Sequence, residues 1–167
     1  MTVKKETIAI NGAGPVGALL GVMLAEKGYK VDIFESRPDS RVSNIYQGKS
    51  INLALSDRGW LALEVVGLAD QIKSQAIPMY RRVMHDIEGN LTSQAYGKEN
   101  QAIWSVSRAG INEQLVSMAE ANPNIDIHFE HRLTHLDFAT NNAAYAVEGT
   151  QHKQHQSDIV FGADGTF

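Results

Sequence analysis

TIAINGAGPVGALLGVMLAEKGYKVDIFE, residues 7–35, places five glycines in a stretch that otherwise reads as strand, helix, strand. Glycine inside a helix costs about 1 kcal/mol against alanine, so Gly12, Gly14, Gly17, Gly21 and Gly28 need a reason to be there. Thr7 to Asn11 is an apolar, buried strand. Gly14 to Lys27 has the helical spacing of Val16, Leu19, Leu20, Met23 and Leu24. Gly28 follows as a left-handed cap, and Lys30 to Glu35 forms the second strand. Two strands joined by a crossover helix run parallel, with a right-handed connection.

Gly12-x-Gly14-x-x-Gly17 falls where the first strand turns into the helix, the context that gives this spacing meaning. Gly12 permits the tight turn, Gly14 lets a pyrophosphate approach the backbone, and Gly17 lets the helix lie close to the strand. The phosphates would then sit over the helix N-terminus, where free N–H groups and the helix dipole favour negative charge. Glu35 closes the second strand, where a carboxylate can accept hydrogen bonds from ribose hydroxyls and disfavours a 2′-phosphate. A dinucleotide is the expected ligand. FAD and NAD share this fingerprint, so these residues alone do not choose between them.

The 167 residues can bury a real core. A hydrophobic fraction of 43%, a charged fraction of 20% and a net charge of -4 describe a globular protein without the basic footprint of a nucleic-acid binder. No apolar run reaches the length of a membrane span. Cysteine is absent, which removes disulfides, a thiolate nucleophile and Cys-type zinc sites, and a reducing cytoplasm fits.

Beyond the opening unit, Arg37 to Lys49 is a polar loop, and Ser56 can cap a helix from Asp57 to about Val66 that Gly67 closes. Arg81–Ile87 and Leu91–Tyr96 flank a Glu88-Gly89-Asn90 turn and read as a hairpin. Trp104 to Val106 is a short strand, Ala109 to Glu120 a helix with Ile111, Leu115, Met118 and Ala119 on one face, and Ile125 to Phe129 a strand. Leu133–Ala139 and Ala143–Val147 form a second hairpin around Asn141-Asn142, and Ile159 to Phe161 is the last strand. The fold class is therefore α/β: a Rossmann-like parallel sheet with antiparallel hairpins inserted or appended. The chain ends FGADGTF straight after an apolar strand with no closing helix, and reads as cut rather than finished.

The extended glycine spacing followed by Glu35-Ser36-Arg37 resembles FAD-dependent aromatic hydroxylases of the para-hydroxybenzoate hydroxylase type. GKSINLALSDRG (48–59), IPMYRRVMH (77–85), IWSVSR (103–108) and the terminal FGADG (161–165) are similar to the branch of that family that hydroxylates L-kynurenine. The resemblance covers essentially all 167 residues, and implies that they are the FAD-binding, N-terminal portion of a larger NADPH-using monooxygenase. It implies that Val16 and Phe34, Glu35, Ser36 and Arg37 line the adenosine end of FAD, with Gly12, Gly14 and Gly17 around the pyrophosphate. Ala54 and Arg108 would touch the cofactor, Leu133 would contribute backbone near the adenine, and Asp164 and Gly165 would support FAD and the nicotinamide cofactor. Arg82 would pair with the carboxylate of kynurenine and Tyr96 would supply hydroxyl and ring. A cation at Arg108, at a helix start, opposes the helix dipole, a conflict that an anionic ligand would remove.

Lys49 stands where the family has Arg, Thr166-Phe167 replaces its usual residues, and a later Gly-Asp motif is absent. No catalytic acid or base is assigned, since the flavin carries the difficult step. A metal site among His128, His131 and His135 is set aside, because strand alternation points His128 away from His131. Two other functions stay open from the residues: hydroxylation of another aromatic acid, and a non-catalytic dinucleotide-binding module.

Overall fold

A computed structural model describes residues 6–42, 52–147 and 152–165. In chain order it runs β1 (Thr7–Asn11), α1 (Pro15–Glu26), β2 (Lys30–Phe34), β3 (Asn52–Leu55), α2 (Asp57–Val65) and α3 (Ala69–Lys73). Then come β4 (Ile77–Met79), β5 (Arg81–His85), β6 (Leu91–Ala95), β7 (Ile103–Ser107) and α4 (Arg108–Glu120). The chain closes with β8 (Ile125–His128), β9 (His131–Asp137), β10 (Asn142–Val147), β11 (His152–Gln156) and β12 (Ile159–Gly162). Two compact units divide it: residues 1–48 with 112–167, and residues 49–111, the boundary falling inside α4.

The first unit is built on a sheet of order β12-β1-β2-β8, parallel at every pairing. Ile8, Ala9 and Ile10 on β1 are all buried, as expected of a central strand covered on both faces. An antiparallel sheet of order β11-β10-β9 supplies Ala143 and Tyr145, which join Ala9 and Phe34 in a buried cluster flanked by Leu133, Leu136 and Val160. The turn into β10 passes through Asn141 at φ 54°, a conformation asparagine tolerates well.

α1 begins with Pro15, whose missing N–H is no loss in the first turn. It ends at Gly28, φ 89°: Gly28 N–H donates to the Ala25 carbonyl and Tyr29 N–H to that of Leu24, a complete Schellman cap. Its buried face is made mostly of small residues. Gly17, Ala18, Gly21, Val22 and Ala25 are buried, whereas Val16 is 70% exposed and Leu19, Leu20, Met23 and Leu24 are half-buried. A Cβ on Gly21 would stand 2.7 Å from Ile33 Cδ1, so the helix lies too close to the sheet for large side chains on that face.

His128 does not point away from His131 as strand alternation would have it. Strand alternation stops at β8, Glu130 turns the chain at φ 59°, and the His128 and His131 rings come within 5.6 Å of each other beside Phe34.

In the second unit, β3 and β4 flank β7 in an antiparallel sheet, and β5 and β6 form a separate hairpin. The Asp86 carboxylate accepts the backbone N–H groups of Glu88 and Asn90, which shapes the expected turn around Gly89, φ 86°. Ser56 takes the N-cap position of α2 but makes no side-chain capping bond. Gly67 ends the helix at φ 72° with Leu68 N–H on the Leu63 carbonyl. Trp60 meets Trp104 edge to face at 5.8 Å. Among the described residues no helix is long and apolar enough to cross a membrane.

Candidate functional site

The turn from β1 into α1 is set by two close approaches. Gly12 has φ 105°, and a Cβ there would lie 2.6 Å from the Ala163 carbonyl oxygen and 2.8 Å from Asp164 Cα. A Cβ on Gly17 would come within 1.9 Å of the Gly12 carbonyl oxygen. Both positions exclude a side chain for reasons internal to the protein.

Gly14 is different. It has an ordinary φ of -68° and a Cβ there would meet nothing within 4 Å. The space in front of the α1 N-terminus is open, the helix has no side-chain cap, and its first turn holds no acidic residue. The free N–H groups of its first turn and its positive dipole end are the kind of site that favours an anion. Val16, in that first turn, is exposed to the same solvent.

Glu35 stands just past the end of β2 with only 6% exposure, and both of its carboxylate oxygens accept hydrogen bonds from within the protein. Oε2 accepts the Ala13 backbone N–H at 3.0 Å, while Oε1 accepts Ser36 Oγ, Arg37 N–H and Arg37 Nε. Burial pushes this carboxyl up, but the bonds from Arg37 and Ala13 and the Arg37 charge outweigh it and hold it below its ordinary value of 4.5. The acid thus braces the phosphate loop from within. Backbone bonds from Glu35 to the His128 carbonyl and from His131 to the Glu35 carbonyl fix the strand end itself. Ser36 and Arg37 are both exposed, although Arg37 keeps its Nε on the buried Glu35 carboxylate.

Phe34 turns its ring away from this opening. It is stacked between Tyr145 at 4.0 Å and His128 at 4.7 Å, so what it offers the loop is its carbonyl, which accepts Gly12 N–H at 2.7 Å. Leu133 on β9 packs half-buried against the same cluster. Asp164 and Gly165, φ 86°, are exposed just past β12, with Asp164 Cα against Gly12. The first unit therefore brings together Gly12, Gly14, Val16, Gly17, Glu35, Ser36, Arg37, Asp164 and Gly165 around one loop.

The remaining expected residues belong to the second unit. Ala54 is exposed on β3 opposite Ser105, and Arg108 is the exposed first residue of α4. Arg82 on β5 lies in register with Gln94 on β6, and its Nε and Nη2 both donate to Gln94 Oε1. A carboxylate arriving at that edge would replace a neutral acceptor with a charged one. Tyr96 is half-exposed at the foot of the hairpin, where its N–H donates to the Tyr80 carbonyl. Lys49 and Thr166-Phe167 lie outside the described residues.

Sequence reasoning missed Ala13, Asn11, Ala163 and Tyr145. The polar Asn11, closing an otherwise apolar strand, was the one readable signal.

A family model described as "FAD binding domain" matches residues 5–166. The chain is 38% identical to kynurenine 3-monooxygenase of Sus scrofa over 99% of its own length and 35% of that relative's. To the Myxococcus xanthus protein of the same name it is 40% identical over 98% of its length and 36% of the relative's. It spans about a third of the length of the curated relatives it matches. Among solved structures, p-nitrophenol 4-monooxygenase from Pseudomonas putida superimposes with a TM-score of 0.80 at 20% identity, over 96% of this chain and 41% of that one. A tetrameric 2-methyl-3-hydroxypyridine-5-carboxylic acid oxygenase gives 0.77 at 18% identity, over 98% and 40%. At such identities these structures establish the fold and nothing further.

Proposed function

The chain belongs to the FAD binding domain family, and from that premise we propose that it holds FAD for an NADPH-using aromatic hydroxylase that converts L-kynurenine to 3-hydroxykynurenine. In this reading residues 1–167 are the FAD-binding portion of a larger monooxygenase. The observation that carries the cofactor assignment is the uncapped N-terminus of α1, open in front of Gly14.

The α1 first turn would hold the pyrophosphate, Glu35, Ser36 and Arg37 the adenosine end with Phe34 and Leu133 behind them, and Asp164 and Gly165 the far side of the loop. Ala54 and Arg108 are the proposed cofactor contacts from the second unit. Bound FAD, reduced by NADPH, supplies oxygen activation for ring hydroxylation. The protein's part is to orient substrate and keep water out. Arg82 is suited to a carboxylate because its planar fork matches one, and Tyr96 adds a hydroxyl and a ring. The names of the relatives support kynurenine as the substrate.

The purified chain reconstituted with FAD tests the cofactor assignment: a retained flavin absorbance band supports it, and loss of all flavin on gel filtration contradicts it. For the substrate, Arg82→Lys and Tyr96→Phe in a full-length protein carrying this domain should each weaken kynurenine binding about tenfold or more. Unchanged affinity would remove kynurenine from the proposal.

A further inference from the structure

Tyr145 is completely buried, 134 residues along the chain from Asn11, and its hydroxyl donates to Asn11 Oδ1 at 2.8 Å. Its ring already stacks on Phe34, a contact that phenylalanine would make equally well. The hydroxyl is therefore present for Asn11 alone. Burial keeps it protonated, so it stays a donor.

Asn11, only 3% exposed, is the residue before Gly12, and it ties the loop to the β12 segment and to β10. Its carbonyl accepts the Ala163 N–H at 2.7 Å, its Nδ2 donates to the Phe161 carbonyl at 3.4 Å, and its Oδ1 takes the Tyr145 hydroxyl. Gly12 meanwhile packs on Ala163 and Asp164 and donates its own N–H to Phe34. A buried polar pair rarely beats an apolar pair of the same shape for stability, and what it adds is a fixed geometry.

We propose that Tyr145 is a positioning residue, through which the antiparallel sheet sets the Asn11 carboxamide and hence the backbone of the phosphate loop. The inference rests on the FAD reading for its functional consequence, while its structural half can be measured without ligand. Sheet β11-β10-β9 is then part of the cofactor site although, of its residues, only Leu133 has been given a place at the ligand.

The test uses the full chain, with FAD as the probe. Tyr145→Phe should speed amide hydrogen exchange at Gly12 and Ala13 about tenfold and weaken FAD binding by a similar factor, read where circular dichroism shows the variant folded. Asn11→Leu combined with Tyr145→Phe leaves no orphaned polar atom of the pair, so it should regain melting temperature without regaining loop protection or affinity. It also serves if Tyr145→Phe alone does not fold. Recovery of exchange, affinity and melting temperature together would overturn the positioning role. So would wild-type FAD binding that Tyr145→Phe leaves unchanged along with exchange, and the FAD reading would then stand. If wild-type protein binds no FAD while Gly12 and Ala13 still respond, the positioning contact stands and the FAD reading falls.

Discussion

Gly14 and Gly17 are three residues apart on one turn, yet substitution at each should do opposite things. Gly17→Ala drives a Cβ into the Gly12 carbonyl oxygen and should cost about 3 kcal/mol or more, seen as loss of cooperative unfolding or a large drop in melting temperature. Gly14→Ala meets open space and should change stability by no more than about 0.5 kcal/mol. It should nonetheless weaken FAD binding about tenfold or more, because the added methyl occupies the space assigned to phosphate. Equal effects of both substitutions on stability would refute this division. Glu35 makes a second prediction. A carboxyl held below 4.5 in the fold contributes stability that is present above that pH and is lost as pH falls through its folded value. Glu35→Gln should cost about 1–2 kcal/mol at pH 7. The variant should also flatten the fall in melting temperature below about pH 4.5. Parallel curves for the two proteins would contradict the assignment.

At the scale of elements, the segment after β2 is pinned to α4 by one arginine. Arg41 donates to Asp39 at 2.7 Å and to Glu120 at 2.8 Å, bonds Ser117 Oγ, and lies over the Phe129 ring. Its own carboxylate bonds raise its proton affinity further, and those bonds hold Asp39 below its ordinary value. The pair with Asp39 is mostly shielded from water, so Arg41→Met should cost about 2 kcal/mol in urea unfolding, between exposed and buried pairs. A change below about 0.5 kcal/mol would show the clamp to be ornamental.

Elements also show where sequence reading works and where it stops. The glycine triplet, the caps at Gly28 and Gly67, and the turns at Gly89 and Asn141 are local backbone requirements, and they were legible. On the buried face of α1, the close packing at Gly17 was legible, and the burial of Ala18, Val22 and Ala25 was not. Periodicity finds bulky apolar residues, whereas close helix–sheet contact selects Gly17, Ala18 and Gly21. β11, HKQHQ, carries no alternation of apolar residues and exists because β10 offers it a register. Asn11 and Tyr145 meet only through long-range pairing, which no local window contains.

For the whole molecule, ligand binding should be visible as stability. Free FAD at about 100 times its Kd adds about 2.7 kcal/mol to the form that binds it, enough to raise the melting temperature by roughly 5–10 °C for a chain of this size. Riboflavin, which lacks the pyrophosphate, should give little of this shift. The geometry of the glycine loop was legible because it is set by local backbone requirements within one unit. Arg82, Tyr96, Ala54 and Arg108 came from family likeness, since an exposed cation or aromatic on a strand or helix start carries no local mark of its ligand.

Backbone amide resonances followed by nuclear magnetic resonance during an FAD titration address the central assignment most directly. Phosphate seated on the first turn of α1 predicts saturable shifts at Val16, Gly17 and Ala18 that ADP reproduces and riboflavin does not. Saturating FAD that leaves those three amides unmoved would contradict it.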